Sequence, residues 1–179
     1  MKKSHAQHAG ASDDEIRGWF AGRLPDDWFT APVEVTTDRD EILIVGEIAA
    51  PDLADGENEE TRASAIAARV GGFREDTRAR RMRIADEAQG RFGRTVSWGV
   101  ACADRRVSFT TLSLPAMTRL RMPERRVLDT LVDAGVARSR SHALAWCVRL
   151  VAERQDEWLN DLRGALTQVE QVRAEGPQD

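Results

Sequence analysis

The chain has 179 residues, a formal net charge of −4 and a pI near 5.5, enough to bury a core without disulfide or metal staples in one large domain or two small ones. No apolar run approaches the roughly 18 residues of a membrane helix, and Met1-Lys2-Lys3-Ser4-His5 leads into no apolar signal region. Cys102 and Cys147 make no CxxC pair and no disulfide framework, so a cytoplasmic protein is expected, and no membrane partner.

Residues 1–11 are polar and small and read as a disordered tail. Ser12-Asp13-Asp14-Glu15 opens a helix, with Ser12 as N-cap and Glu15 at the third position of a capping box. Ile16, Trp19, Phe20 and Leu24 follow at helical spacing as core anchors, up to Pro25. Residues 33–37 (VEVTT) alternate, residues 38–40 turn, and residues 41–48 (EILIVGEI) form an apolar run, so together they predict a β-hairpin. Residues 49–60 are acidic and hold Pro51 and Gly56, the mark of a loop.

Residues 61–92 are helical in pattern. Ile66, Val70, Phe73, Met82, Ile84, Ala85 and Ala88 make one stripe, and Gly71-Gly72 is its weak point. Arg69, Arg74, Arg78, Arg80, Arg81, Arg83 and Arg91 lie on this stretch, interleaved with four acids. Gly90-Arg91-Phe92-Gly93 spells GxxG, the loop that clamps nucleic-acid backbone in KH domains, but a helix-capping glycine followed by a turn glycine explains it better. A second hairpin, residues 95–102 and 106–114, closes a two-layer α-β-β-α-β-β unit over residues 12–115 of unknown role.

Residues 116–153 differ in character. Residues 117–122 alternate, with Leu120 and Met122 on one side and Met117, Arg119 and Arg121 on the other. Pro123 suits the first turn of a helix, lined by Val127, Leu128, Leu131 and Val132 and stopped by Gly135. Ser139 caps a second helix, lined by Ala143, Leu144, Cys147, Val148 and Val151. Residues 154–175 continue an amphipathic pattern through Trp158, Leu162, Leu166, Val169 and Val172, either extending that helix or forming a third, up to Gly176-Pro177. Trp146 and Trp158 read as packing anchors.

The strand–helix–turn–helix order resembles the ribbon-helix-helix family of DNA-binding proteins. The pieces that carry the resemblance are the alternating strand ending in Met122-Pro123, the helix end Leu128-Asp129-x-Leu131-Val132-x-Ala134-Gly135, and Ala137-Arg138-Ser139-Arg140-Ser141 at the next helix. The resemblance covers about a fifth of the chain and implies a homodimer whose paired strands enter the major groove of double-stranded DNA. Met117, Arg119 and Arg121 would face base edges. Arg138, Ser139, Arg140 and Ser141 would meet a phosphate at the start of the second helix. The sequence departs from the family where an acidic capping-box residue is usual and His142 stands instead, which weakens the cap. It also carries some 115 residues ahead of a motif that usually lies near an N-terminus.

Charge is segregated in the same sense. Residues 69–153 hold 17 arginines against nine acids, whereas residues 1–68 hold six basic residues against 15 acids. A basic middle suits a polyanion; solvated helix faces explain the same counts. No P-loop, GxSxG, HExxH or dinucleotide fingerprint occurs. Asp13-Asp14 and Asp26-Asp27 read as cap and turn residues, and His142 with Cys147 makes no metal site. No enzyme, metal or cofactor is expected. The expected function is a homodimeric, sequence-specific regulator of bacterial transcription on the nucleoid, with a protein partner or effector at residues 12–115. Three alternatives stay open: an RNA- or ribosome-associated protein using the arginine-rich 69–94 helix, a dimeric protein-interaction scaffold, and an antitoxin.

Overall fold

β-Branched and aromatic residues at two-residue spacing build the centre of the structure, a computed structural model that describes residues 11–54 and 56–175. Among them, strands β1 (Glu34–Thr37), β2 (Glu41–Glu47), β3 (Thr95–Cys102) and β4 (Arg105–Ser108) form one sheet in the order β1-β2-β3-β4. The outer pairs are antiparallel; the central pair is parallel, with Ile42 opposite Val96 and Ile44 opposite Trp98. A parallel pair needs a crossover. Helices α2 (Glu59–Asp76) and α3 (Arg78–Phe92) supply it.

Alternation sends Ile42, Ile44, Val96, Trp98, Val100 and Cys102 to one face of this sheet, where all are buried. Helix α1 (Asp13–Arg23) covers one end of that face with Ile16 and Phe20, and α3 adds Ile84 and Ala88. At the other end Ile66 and Val70 of α2 pack on Val100 and Cys102. Trp28 stands edge-on to Phe29, Phe73 and Trp98 in the middle. Three long pairs pin the rim: Arg23 to Glu87 at 2.6 Å, Arg91 to Glu15 at 3.1 Å and Arg106 to Glu34 at 2.8 Å.

The chain divides into two units, one ending at Leu114 and the other beginning at Pro115. The second unit is helical: α4 (Met122–Asp133), α5 (Arg140–Arg154) and α6 (Asp156–Glu175). The fold class is thus mixed α+β, with a four-stranded sheet and six helices among the described residues. No helix among them is long and apolar enough to cross a membrane.

Several expectations are corrected. The helix expected over residues 61–92 is two helices, and the break falls at Thr77, not at Gly71-Gly72. The order is therefore α-β-β-α-α-β-β. Gly71 and Gly72 face solvent, where a helix tolerates them at modest cost. Thr77 breaks it because its hydroxyl takes the Phe73 carbonyl at 2.6 Å and Arg81 takes the Arg74 carbonyl at 2.7 Å, so the end of α2 is satisfied without a further turn. Met82, assigned to the apolar stripe, is 57% exposed, because the break rotates the pattern. Strand β4 ends at Ser108 rather than residue 114; the Leu112 N–H instead donates to the Glu41 carboxylate at 3.3 Å. Gly90 lies inside α3, and Gly93, at φ +69°, is its left-handed cap.

Ser12 caps α1 by accepting the Glu15 N–H at 3.2 Å, while the Glu15 carboxylate turns to Arg91. The amphipathic pattern expected over residues 154–175 is a separate helix, Asp156–Glu175, after a break at Gln155. The tail expected for residues 1–11 lies, apart from Ala11, outside the described residues, as do Gly176-Pro177.

Candidate nucleic-acid interface

Helices α4 and α5 meet because each carries a narrow apolar stripe. Leu128, Ala137 and Ala143 are buried between them, with Leu120, Leu131, Val132, Leu144 and Cys147 packed around. Gly135, at φ +75°, permits the reversal, and the Val136 and Ala137 N–H groups donate back to the Leu131 carbonyl at 3.0 and 3.1 Å. A side chain at φ +75° would be strained, which is why glycine ends this helix.

The start of α5 is held twice. Ser139 is its N-cap, its hydroxyl accepting the His142 N–H at 3.2 Å, and the His142 Nδ1 accepts the Arg138 N–H at 3.2 Å. The imidazole thus closes a reciprocal cap in place of the missing carboxylate, one residue earlier than a capping box would. The imidazole takes the Arg138 N–H and not the Ser139 N–H that a capping-box carboxylate would take.

The seven residues singled out from the sequence divide into three groups. Met117 is 98% exposed, and Arg119 and Arg121 are exposed with no side-chain acceptor among the described residues. Arg138 and Ser141 also face solvent, and Arg138 has no carboxylate partner among the described residues. Ser139 and Arg140 are engaged. Arg140 donates from Nε to Asp129 Oδ1 at 2.6 Å and from Nη2 to Asp129 Oδ2 at 2.8 Å, a bidentate pair between α5 and α4. The pair holds the Asp129 carboxyl below its ordinary range and raises Arg140. Arg140 is therefore spent on the turn, and Arg138 is the cation left without a carboxylate at the helix start among the described residues.

Residues 117–121 form no strand in the single chain, and α4 begins at Met122, ahead of Pro123. The strand expected there is corrected for this state. A strand is defined by a partner, and one copy of the segment has none. Arg125, not singled out from the sequence, anchors the segment by donating from Nη1 to the Leu120 carbonyl at 2.8 Å. Its five-residue offset from Leu120 follows no helical or strand rule, so no pattern marked it. Asp129 was quoted only as part of the helix end; its pairing with Arg140 needs the turn to be built first.

The unit leaves much apolar surface uncovered. Val127 of α4, Val148 and Val151 of α5, and Trp158, Leu162, Leu166, Val169 and Val172 of α6 are all exposed. Trp158, expected as a packing anchor, is 55% exposed in the single chain. Among the described residues no group of three or more His, Cys, Asp or Glu could hold a metal ion.

Comparison with known proteins places both units. Residues 14–108 match the family model for the N-terminal domain of Rv1265-like proteins, and residues 121–173 match that for the Mb1296 C-terminal domain. The uncharacterized protein Mb1296 of Mycobacterium bovis is 55% identical over 159 residues, which cover 89% of this chain and 69% of that protein. The uncharacterized protein Rv1265 of Mycobacterium tuberculosis matches to the same extent. No solved structure matches. With both of its units matched and more than half of its aligned residues identical to these relatives, the chain belongs to the Rv1265-like family.

Proposed function

We propose that the chain is a homodimeric, sequence-reading binder of double-stranded DNA, built on a ribbon-helix-helix unit in residues 116–153, and that it regulates transcription. The observation that carries the reading is the state of residues 117–121. They precede a helix pair joined by a tight turn, and among the described residues they have no strand partner and Met117, Arg119 and Arg121 have no side-chain partner. Two copies pairing these segments antiparallel supply the missing partner for each. The resulting ribbon puts Arg119 and Arg121 on one side, where a guanidinium donates bidentately to guanine O6 and N7. Arg138 and Ser141, with the N–H groups at the start of α5, bind phosphate and fix the register.

The apolar residues left exposed on α4 and α5 support the dimer, because their burial drives association. Fluorescence anisotropy on labelled duplexes tests the phosphate part. Arg138→Ala should weaken binding to all duplexes alike and reduce the salt slope by about one phosphate contact. An unchanged slope removes Arg138 from the interface.

A second reading rests on α3, whose exposed arginines Arg78, Arg80 and Arg83 make it an RNA-binding face. It gives way if neutralising them leaves RNA and DNA binding unchanged.

A further inference from the structure

The elbow between α2 and α3 holds a cation that the DNA reading does not use. Arg81 is only 6% exposed, yet among the described residues no carboxylate lies within ion-pair distance of it. Its Nε donates to Thr77 Oγ1 at 2.9 Å and its Nη2 to the Arg74 carbonyl at 2.7 Å. The guanidinium lies over the Phe109 ring, 4.8 Å from its centroid. Nη1 has no acceptor among the described residues, and it is not sealed off, because no fully buried side-chain nitrogen or oxygen among them lacks a partner.

Arg81 lines a cavity of about 410 Å³ together with Arg74, Arg78, Trp98, Phe109 and Thr110. That volume lies within the range of small-molecule sites. Thr110 Oγ1 accepts the Trp98 N–H at 3.0 Å, so its hydroxyl proton is left to donate. Two donors, one guanidinium N–H and one hydroxyl, suit the two oxygens of a carboxylate. Glu75 also lines the cavity and opposes a multiply charged anion. Ala85, Val96, Trp98 and Phe109 line the same cavity, and their apolar atoms suit an apolar body beside the anion. A buried cation without a counter-ion is costly, and burial already pushes the Arg81 pKa down.

We propose that this cavity binds a small apolar carboxylate, whose carboxylate serves as the counter-ion of Arg81 and whose apolar body lies on the wall that Ala85, Val96, Trp98 and Phe109 line. Isothermal titration of the full chain with 1-naphthoate tests it, with 1-naphthalenemethanol and inorganic phosphate as comparisons. Saturable binding of one naphthoate per chain is expected, with neither comparison matching it. Arg81→Lys should weaken it at least about tenfold, the value of one charge-assisted hydrogen bond. Should Arg81→Lys fail to fold, the exposed pair Arg74→Ala/Arg78→Ala decides, with a loss of about fivefold from the missing field. No saturable heat, equal binding of the neutral alcohol, tighter binding of phosphate, or wild-type affinity in a folded variant overturns the proposal.

Discussion

Arg140 and Asp129 form a two-bond clamp, at 2.6 and 2.8 Å, across the turn between α4 and α5. The clamp joins residues eleven apart and sets the direction in which α5 leaves the turn. Asp129→Asn should keep the helices but loosen their angle, seen as faster amide exchange over residues 134–142. The pH dependence has a definite sign. The Asp129 carboxyl titrates below its ordinary range because Arg140 holds it charged. Its stabilising effect is therefore present above the unfolded carboxylate pKa and lost as pH falls through the lowered folded value. Glu34, Glu87 and Asp38 are lowered in the same way, by Arg106, by Arg23 and by the Asp40 and Glu41 N–H groups. Acid should loosen both units, and melting followed from neutral pH to below the carboxylate range should show a monotonic loss. A flat profile contradicts this.

The α2–α3 elbow depends on one hydroxyl. Thr77 is buried and its oxygen both donates to the Phe73 carbonyl and accepts from Arg81. Thr77→Val keeps the shape and removes both bonds, leaving the buried Arg81 Nε unpaired. It should cost about 1–3 kcal/mol in denaturant unfolding. A loss below about 0.5 kcal/mol, the usual scale of a surface change, contradicts the elbow described.

Gly46 of β2 is a packing glycine. A Cβ there would overlap the Phe29 ring, which lies against the sheet at that point. Gly46→Ala should destabilise by about 1–3 kcal/mol as Phe29 is displaced. Gly71→Ala, at an exposed helical position with open space around it, should stabilise by up to about 1 kcal/mol. Thermal melts of the two variants should therefore move in opposite directions.

The α5 surface offers a direct test of the homodimer. Val148 and Val151 are exposed in the single chain. Light scattering should give a dimer at micromolar concentration, and Val148→Asp/Val151→Asp should give a monomer. A wild-type monomer, or a dimer indifferent to the change, removes the paired ribbon.

The sequence was most informative where one residue's own geometry decides the structure. Ser12, Ser139, Gly135 and the Ile42/Ile44 alternation each act within a turn or a strand, and each element stands at its expected place. It was least informative where a contact joins distant residues. The parallel pairing of β2 with β3 spans a 47-residue crossover and has no local mark. Gly71-Gly72 looked like the break in the long helix because propensity favours it, but Arg81 reaching back to Arg74 moved the break to Thr77. In the interface, residues 117–121 form no strand in the single chain and Met122 is exposed as Arg119 and Arg121 are, so alternation does not sort their sides there, and the capture of Arg140 by Asp129 depends on the folded turn.

The central claim is that Arg119 and Arg121 read DNA sequence. Selection of sheared genomic DNA by the purified chain at about 150 mM salt, where phosphate-only binding is already weak, tests it most directly. The Arg119→Ala/Arg121→Ala variant, its dimer and helical content checked first, is run beside the wild type. The expected result is a set of enriched fragments sharing a palindromic or tandem motif, with the enrichment lost in the folded variant. Recovery of no fragments, of fragments with no common motif, or of the same motif by the variant would contradict it.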